Sequence, residues 1–198
     1  MRPRPWQFAF ALICIQLALV EADPARAADR QTTALFDDQG YRLDDFLAPV
    51  PATAPGAITL TTPEARAMHQ AGDAIFIDVR PAPARPSGLP AGTLWLPPAR
   101  QSIPGAVWLP NIGFGRLSDQ LDAYLRSALE RLTTSDPSHP MVLYCRADCW
   151  MSWNAAKRIA ALGYTAVYWY PNGTTGWSRA GLRLEPIQPE PLDSSRAR

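Results

Sequence analysis

The clearest pattern in the chain is an apolar stripe at helical spacing: Leu117, Leu121, Tyr124, Leu125, Ala128, Leu129 and Leu132. Positions recurring every three or four residues share one face of a helix, and Ser118 is its natural N-cap. Elsewhere the period changes. Ala74–Val79 is a nearly continuous apolar run with β-branched residues, which marks a strand covered on both faces. Met141–Tyr144, preceded by Pro140, is a second such run. Ile58–Thr61, the end of Ile103–Leu109, and Tyr164–Tyr170 read as three further strands. Thr62-Pro63-Glu64 reads as the N-cap, N1 proline and first-turn acid of a helix reaching about Gln70. From Ser152 the spacing is helical again, through Trp153, Ala156, Ile159 and Ala160, until Gly163 stops it. A turn at Asn172-Gly173 precedes a short helical turn that carries Trp177. Strands alternating with helices predict an α/β fold with a central parallel sheet of about five strands flanked by helices.

The ends depart from this rhythm. Arg2 and Arg4 precede an apolar run from Phe8 to Val20, and Ala25-Arg26-Ala27 follows. A basic start, an apolar middle and small residues before a cut make residues 1–27 a secretory signal peptide, cleaved before Ala28. The run is short for a membrane span, and Cys14, with Ile13 ahead of it, is part of that run. Residues 28–57 lack a period and read as an extended lead-in, with Tyr41, Phe46 and Leu47 tacking it onto the domain surface. Residues 58–186 hold the alternating elements, and 187–198 read as a polar tail. Inside the domain, Pro81–Ser102 is a long loop with six prolines, of a length that marks specialised segments.

Composition narrows the functional classes. The formal net charge of +1 leaves no basic excess for nucleic acid. Removing residues 1–27 takes Arg2, Arg4, Arg26, Glu21 and Asp23 and leaves basic and acidic side chains in equal number. It also leaves two cysteines, Cys145 and Cys149. The signal is of the type that leads to the periplasm of a Gram-negative cell, where paired cysteines persist as disulfides.

Both cysteines fall where the strand Met141–Tyr144 gives way to a helix. A helix N-terminus presents free N–H groups and partial positive charge, which stabilise a thiolate. On this reading Cys145 carries the depressed pKa. Three roles are open to the pair. A structural disulfide closing so short a loop removes little unfolded-state entropy, about 2 kcal/mol. A redox or sulfur-relay pair uses one thiol to attack and the other to resolve the adduct. A soft ion such as Cu(I) is the third possibility, with Met151 or His139 as a further ligand. Nothing indicates covalent haem, and two histidines, His69 and His139, are few for zinc. Trp150, Trp153 and Trp177 could wall the loop and hold a flat quinone, or pack in the core. Asp78 and Arg80 could serve as acid–base groups, but ending a buried strand they read as a structural ion pair or turn-former, and Asn172, Thr174 and Thr175 read as turn chemistry.

The order of several short motifs resembles the rhodanese-like domain family. They are Asp78-Val79-Arg80, Ile103-Pro104-Gly105-Ala106, the strand ending at Cys145, Gly163-Tyr164, Gly176-Trp177 and Ala180-Gly181-Leu182. The likeness covers about residues 58–185. The stretch Cys145-Arg-Ala-Asp-Cys-Trp-Met-Ser-Trp-Asn is similar to the PQQ-dependent catabolism-associated CXXCW motif proteins, exported rhodanese-like proteins linked to quinoprotein alcohol oxidation. Gly40-Tyr41-Arg42 and Pro49-Val50-Pro51 extend that likeness into the lead-in. The resemblance implies that Cys145 receives a sulfane sulfur, and that Arg146, Ala147, Asp148, Trp150, Met151 and Ser152 form the substrate-binding loop, with Cys149 as second thiol. It implies a sulfurtransferase or thiol-disulfide oxidoreductase, with a periplasmic thiol or sulfur donor, a quinoprotein dehydrogenase or a cytochrome system as partner. A non-catalytic module for Cu(I) or a quinone is the alternative. The chain departs from the family pattern in three ways. Three residues, not two, separate its cysteines; the loop lacks glycine; and Asp148 opposes a small dianion.

Overall fold

The computed structural model describes residues 35–90 and 97–191. The signal peptide expected at 1–27, the cut before Ala28, and residues 192–198 lie outside the described residues. Among the described residues no helix is long and apolar enough to cross a membrane.

The strands are β1 (Ile58–Thr59), β2 (Ile75–Asp78), β3 (Arg100–Ser102), β4 (Val107–Trp108), β5 (Met141–Tyr144), β6 (Val167–Tyr170) and β7 (Glu185–Ile187). The helices are α1 (Thr62–Ala71), α2 (Asp119–Leu132), α3 (Trp150–Ala161) and α4 (Gly173–Arg179). Five strands form one parallel sheet in the order β1-β6-β5-β2-β4, which is the α/β architecture the alternation predicts. β5 lies at its centre, and all four of its residues are buried. That explains its apolar run without alternation, because both faces are covered.

The two faces can be read from side-chain alternation. Met141, Leu143 and Cys145 point toward the cluster that contains Leu125, Leu129, Trp153 and Ile159, which belong to α2 and α3. Val142 and Tyr144 point the other way, toward Ala65 of α1 and Trp177 of α4.

Several boundaries differ from the sequence reading. α2 starts at its expected cap, Ser118, whose hydroxyl accepts from the Leu121 N–H. In α1 the cap is Thr61 instead of Thr62. Glu64 answers the Thr61 N–H at 2.7 Å, completing a reciprocal box that places Pro63 in the first turn. α3 begins at Trp150, two residues before Ser152, because Cys149 has extended backbone and serves as its N-cap. Asn172-Gly173 opens α4 instead of forming a free turn.

The loop after β2 ends in β3, which pairs antiparallel with β7. The stretch from Pro186, polar in sequence, continues β7 and then bonds to the β4 edge, where the Glu190 N–H meets Trp108 O at 2.8 Å. Asp78 is fully buried and pairs with Arg100 and the Ser102 hydroxyl. The ion pair expected between Asp78 and Arg80 is therefore absent. Arg80 is exposed, and only its N–H meets Asp78, at 3.0 Å. The turn-forming half of that expectation stands.

The lead-in packs over α3. Tyr41 and Arg42 are buried, while Leu47 is 58% exposed and makes no anchor. Asn154 exchanges two hydrogen bonds with the backbone of Arg42. Trp150 Nε1 donates to Pro49 O, and Trp153 Nε1 to Thr53 O.

Candidate functional site

Cys145 follows β5 at the C-terminal edge of the parallel sheet, between the ends of β2 and β6. Ligands gather at that edge in open α/β sheets. Three residues, Arg146 to Asp148, then turn the chain into Cys149. Asp148 makes the turn possible with φ +51°. Left-handed backbone is the usual province of glycine, and Asp tolerates it better than most residues. The loop therefore needs no glycine.

The loop is held from α4. Cys145 O accepts from the Thr174 N–H at 3.0 Å and from the Thr174 hydroxyl at 3.2 Å. The Ala147 N–H donates to the Thr175 hydroxyl at 3.2 Å. Gly173 lies so close that a Cβ there would run into Cys145 O. The threonines read from sequence as turn chemistry thus position the cysteine loop.

The two sulfurs lie 2.7 Å apart, and both cysteines are free thiols and buried. Their surroundings are opposite. Cys149 caps α3. The hydrogen bond from Cys145 is the largest influence on it, followed by burial in the other direction and then by the N–H groups of Met151, Ser152 and Arg146. The result is a thiol pKa lowered to about 7. Cys145 is pushed well above the ordinary value, first by its hydrogen bond to Cys149, then by burial, and then by the negative charges of Cys149 and Asp78. With both protonated, Cys149 donates to Cys145. Once one proton leaves, the helix amides keep the charge on Cys149 and the Cys145 S–H donates to it. This reverses the expectation that Cys145 is the depressed thiol, because the helix begins at Trp150 and aims its N–H groups at the second cysteine.

Both thiols open on a cavity of about 490 Å³, a size ordinary for small-molecule sites. Arg146 and Met151 line it beside them, Arg80 and Pro81 follow from the end of β2, and Asp44, Asp45, Phe46 and Leu47 of the lead-in close it. The lead-in is fastened there by the Trp150 N–H, which donates to Phe46 O at 2.9 Å, and by Arg42. Arg42 donates to the Asp44 and Asp45 carbonyls, pairs with the Asp45 carboxylate at 3.2 Å, and stacks on Phe36 and Trp150.

Other expected loop residues face elsewhere. Asp148 is exposed and does not line the cavity, so it is not the acid that a bound anion meets. Ala147 contributes its backbone to the loop tie. Ser152 contributes its N–H to Cys149, while its hydroxyl is buried against Trp169. Trp150 and Trp153 meet edge to face at 5.2 Å and clasp the lead-in. Trp177 packs with His69 and Phe76 on the opposite face of the sheet, so the three tryptophans form no common wall for a quinone. His139 precedes the N-terminal end of β5, a strand's length from the cysteines, and cannot join them on a metal. Among the described residues no group of three or more His, Cys, Asp or Glu side chains could hold a metal ion. Sequence reasoning gave Arg80 a structural role and missed Asp44 and Asp45. Arg80 could have been placed from its position at a strand's C-terminal end. The two aspartates lie in a stretch without period and gave no signal.

Comparison with known families decides the fold's kinship: the rhodanese-like domain matches residues 61–180, more than half of the chain. The chain belongs to the rhodanese-like domain family. No curated protein matches it. Among solved structures, the chain is similar to the polysulfide-sulfur transferase homodimer of Wolinella succinogenes, with 19% identity, TM-score 0.46, and coverage of 83% of this chain and 93% of that one. It is also similar to a human single-domain sulfurtransferase, with 23% identity, TM-score 0.38, and coverage of 63% and 96%. An uncharacterised protein of Saccharomyces cerevisiae is 16% identical, with TM-score 0.40 and coverage of 63% and 93%. The acidic and apolar wall formed by residues 44–47 lies outside the span that matches the rhodanese-like family.

Proposed function

We propose that this rhodanese-family protein is exported, loses residues 1–27, and handles sulfane sulfur or thiols through Cys145 and Cys149 in support of periplasmic PQQ-dependent alcohol oxidation. The observation that carries the chemistry is the pairing of two unlike thiols in direct contact in the lining of one cavity. The signal-like start and the likeness of the cysteine stretch to the CXXCW motif proteins support the export and the pathway.

The unlike pKa values give the thiols an order. Cys149, a thiolate near neutral pH, attacks the outer sulfur of a persulfide donor. A new S–S bond forms on Cys149, the donor's S–S bond breaks, and the donor thiolate leaves. An external thiol can then take that sulfur and return Cys149 to a thiolate. Alternatively, Cys145 attacks the Cys149 sulfur that carries the load. The pair closes to a disulfide and hydrosulfide leaves, carrying the two electrons that the cysteines give up. Two external thiols restore the reduced pair and become a disulfide themselves.

Intact-mass measurement on protein recovered from the periplasm tests both parts. The chain is expected to begin at Ala28. After treatment with a low-molecular-weight persulfide, Cys145→Ser is expected to keep one added sulfur on Cys149, Cys149→Ser to keep little, and the unsubstituted protein to finish as the disulfide. A chain still starting at Met1 defeats export. Equal retention by both variants defeats the order of the thiols, and no retention in either defeats sulfur handling.

A further inference from the structure

The cavity is lined by charge of both signs. Arg80 and Arg146 line it from the sheet and the cysteine loop. Neither makes an ion pair among the described residues. Asp44 and Asp45 line it from the lead-in. Asp45 is matched by Arg42 at 3.2 Å. Asp44 has no cationic partner among the described residues, and its carboxylate accepts the Asp45 N–H at 2.7 Å. Phe46, Leu47, Pro81 and Met151 complete its lining beside the cysteines.

This arrangement discriminates by charge. An inorganic dianion gains from the two guanidiniums but must approach Asp44, and a simple cation meets the reverse. A molecule bearing both an ammonium and a carboxylate satisfies both signs of charge at once, and its carboxylate suits the planar forks of arginine. The apolar part of the lining suits a short methylene stem that leads to sulfur.

We infer that the cavity takes a zwitterionic thiol or persulfide of amino-acid size, with its carboxylate on Arg146 and Arg80, its ammonium on Asp44 and its sulfur at the cysteine pair. The inference rests on reading that pair as a sulfur-handling site and specifies its substrate class. Asp44 becomes a specificity-determining residue supplied by the lead-in, outside the family-matched domain.

Protection of the reduced pair from alkylation by neutral iodoacetamide tests the binding without requiring any sulfur to move. The competitors are S-methylcysteine as zwitterion, 2-(methylthio)ethylamine as cation, 3-(methylthio)propionate as anion and thiosulfate as dianion. S-methylcysteine is expected to protect at about tenfold lower concentration than the others, a difference of about 1.4 kcal/mol. Asp44→Asn is expected to bring it level with the anion, and Arg146→Gln level with the cation. Equal protection by all four, best protection by thiosulfate, or a preference that survives both substitutions overturns the inference. Loading of sulfur on the pair without protection by S-methylcysteine defeats the substrate class and leaves sulfur handling intact. Protection by S-methylcysteine without loading from any persulfide defeats sulfur handling and leaves the zwitterion site intact.

Discussion

Four positions of backbone separate two sulfurs with opposite acidities. The difference comes from what each sulfur faces. The hydrogen bond between them comes first, raising Cys145 and lowering Cys149; burial and the charges of Cys149 and Asp78 then hold Cys145 up, while the first-turn N–H groups of α3 favour charge on Cys149. Alkylation of the reduced protein against pH should therefore label Cys149 first, with a midpoint of about 7, below the free-thiol value of about 8.5. Cys145→Ala removes the largest cause and should move that midpoint up. First labelling at Cys145 would show that the helix amides do not hold the charge. The same shifts set a pH window for stability. The folded-state pKa of Cys149 is depressed, so its contribution is present above the unfolded pKa and lost as pH falls through about 7. The folded-state pKa of Cys145 is raised, so its contribution is present below the unfolded pKa and lost as pH rises above it. Stability of the reduced protein should rise from about pH 7 to about 8.5 and fall beyond it, which denaturant titrations at stepped pH will read.

Elements with strong periodicity are legible in the sequence. The stripe from Leu117 to Leu132 specifies α2, and the run ending at Cys145 specifies a central strand because only a strand covered on both faces can be so uniformly apolar. What was not legible has equally physical reasons. β3 and β7 are three residues each and polar in part, and they stand as strands only because they find each other across the chain. The start of α3 is not legible because neither Cys149 nor Trp150 is among the residue types that ordinarily cap a helix. The cysteine loop turns on Asp148, at φ +51°, where a β-branched side chain would clash with its own carbonyl. Asp148→Val should cost about 1–2 kcal/mol. Asp148→Gly should change stability by less than about 1 kcal/mol, because relief of that clash offsets the added freedom of the unfolded chain. Thermal unfolding of the two variants separates them. Equal stability of Val and Gly would mean the loop does not depend on that turn.

At the scale of the molecule, the rhodanese-like domain supplies the sheet, the cysteines and the two arginines, and the segment ahead of it supplies the facing wall. That division has a consequence in time. Asn154 meets Arg42 across 112 positions of sequence, and Trp150 meets Pro49 across 101. The wall is synthesised first and its seat more than a hundred residues later, and contacts of such long range form late, because loop closure must precede them. In refolding followed by pulsed hydrogen exchange, the Trp150 amide, whose partner is Phe46, should gain protection after the amides of β5 and β6. Simultaneous protection would place the segment in the folding nucleus. With the later order, every newly made molecule passes through an interval in which its thiols stand open, and it acquires its selectivity only when the lead-in folds back over a helix made about a hundred residues after it.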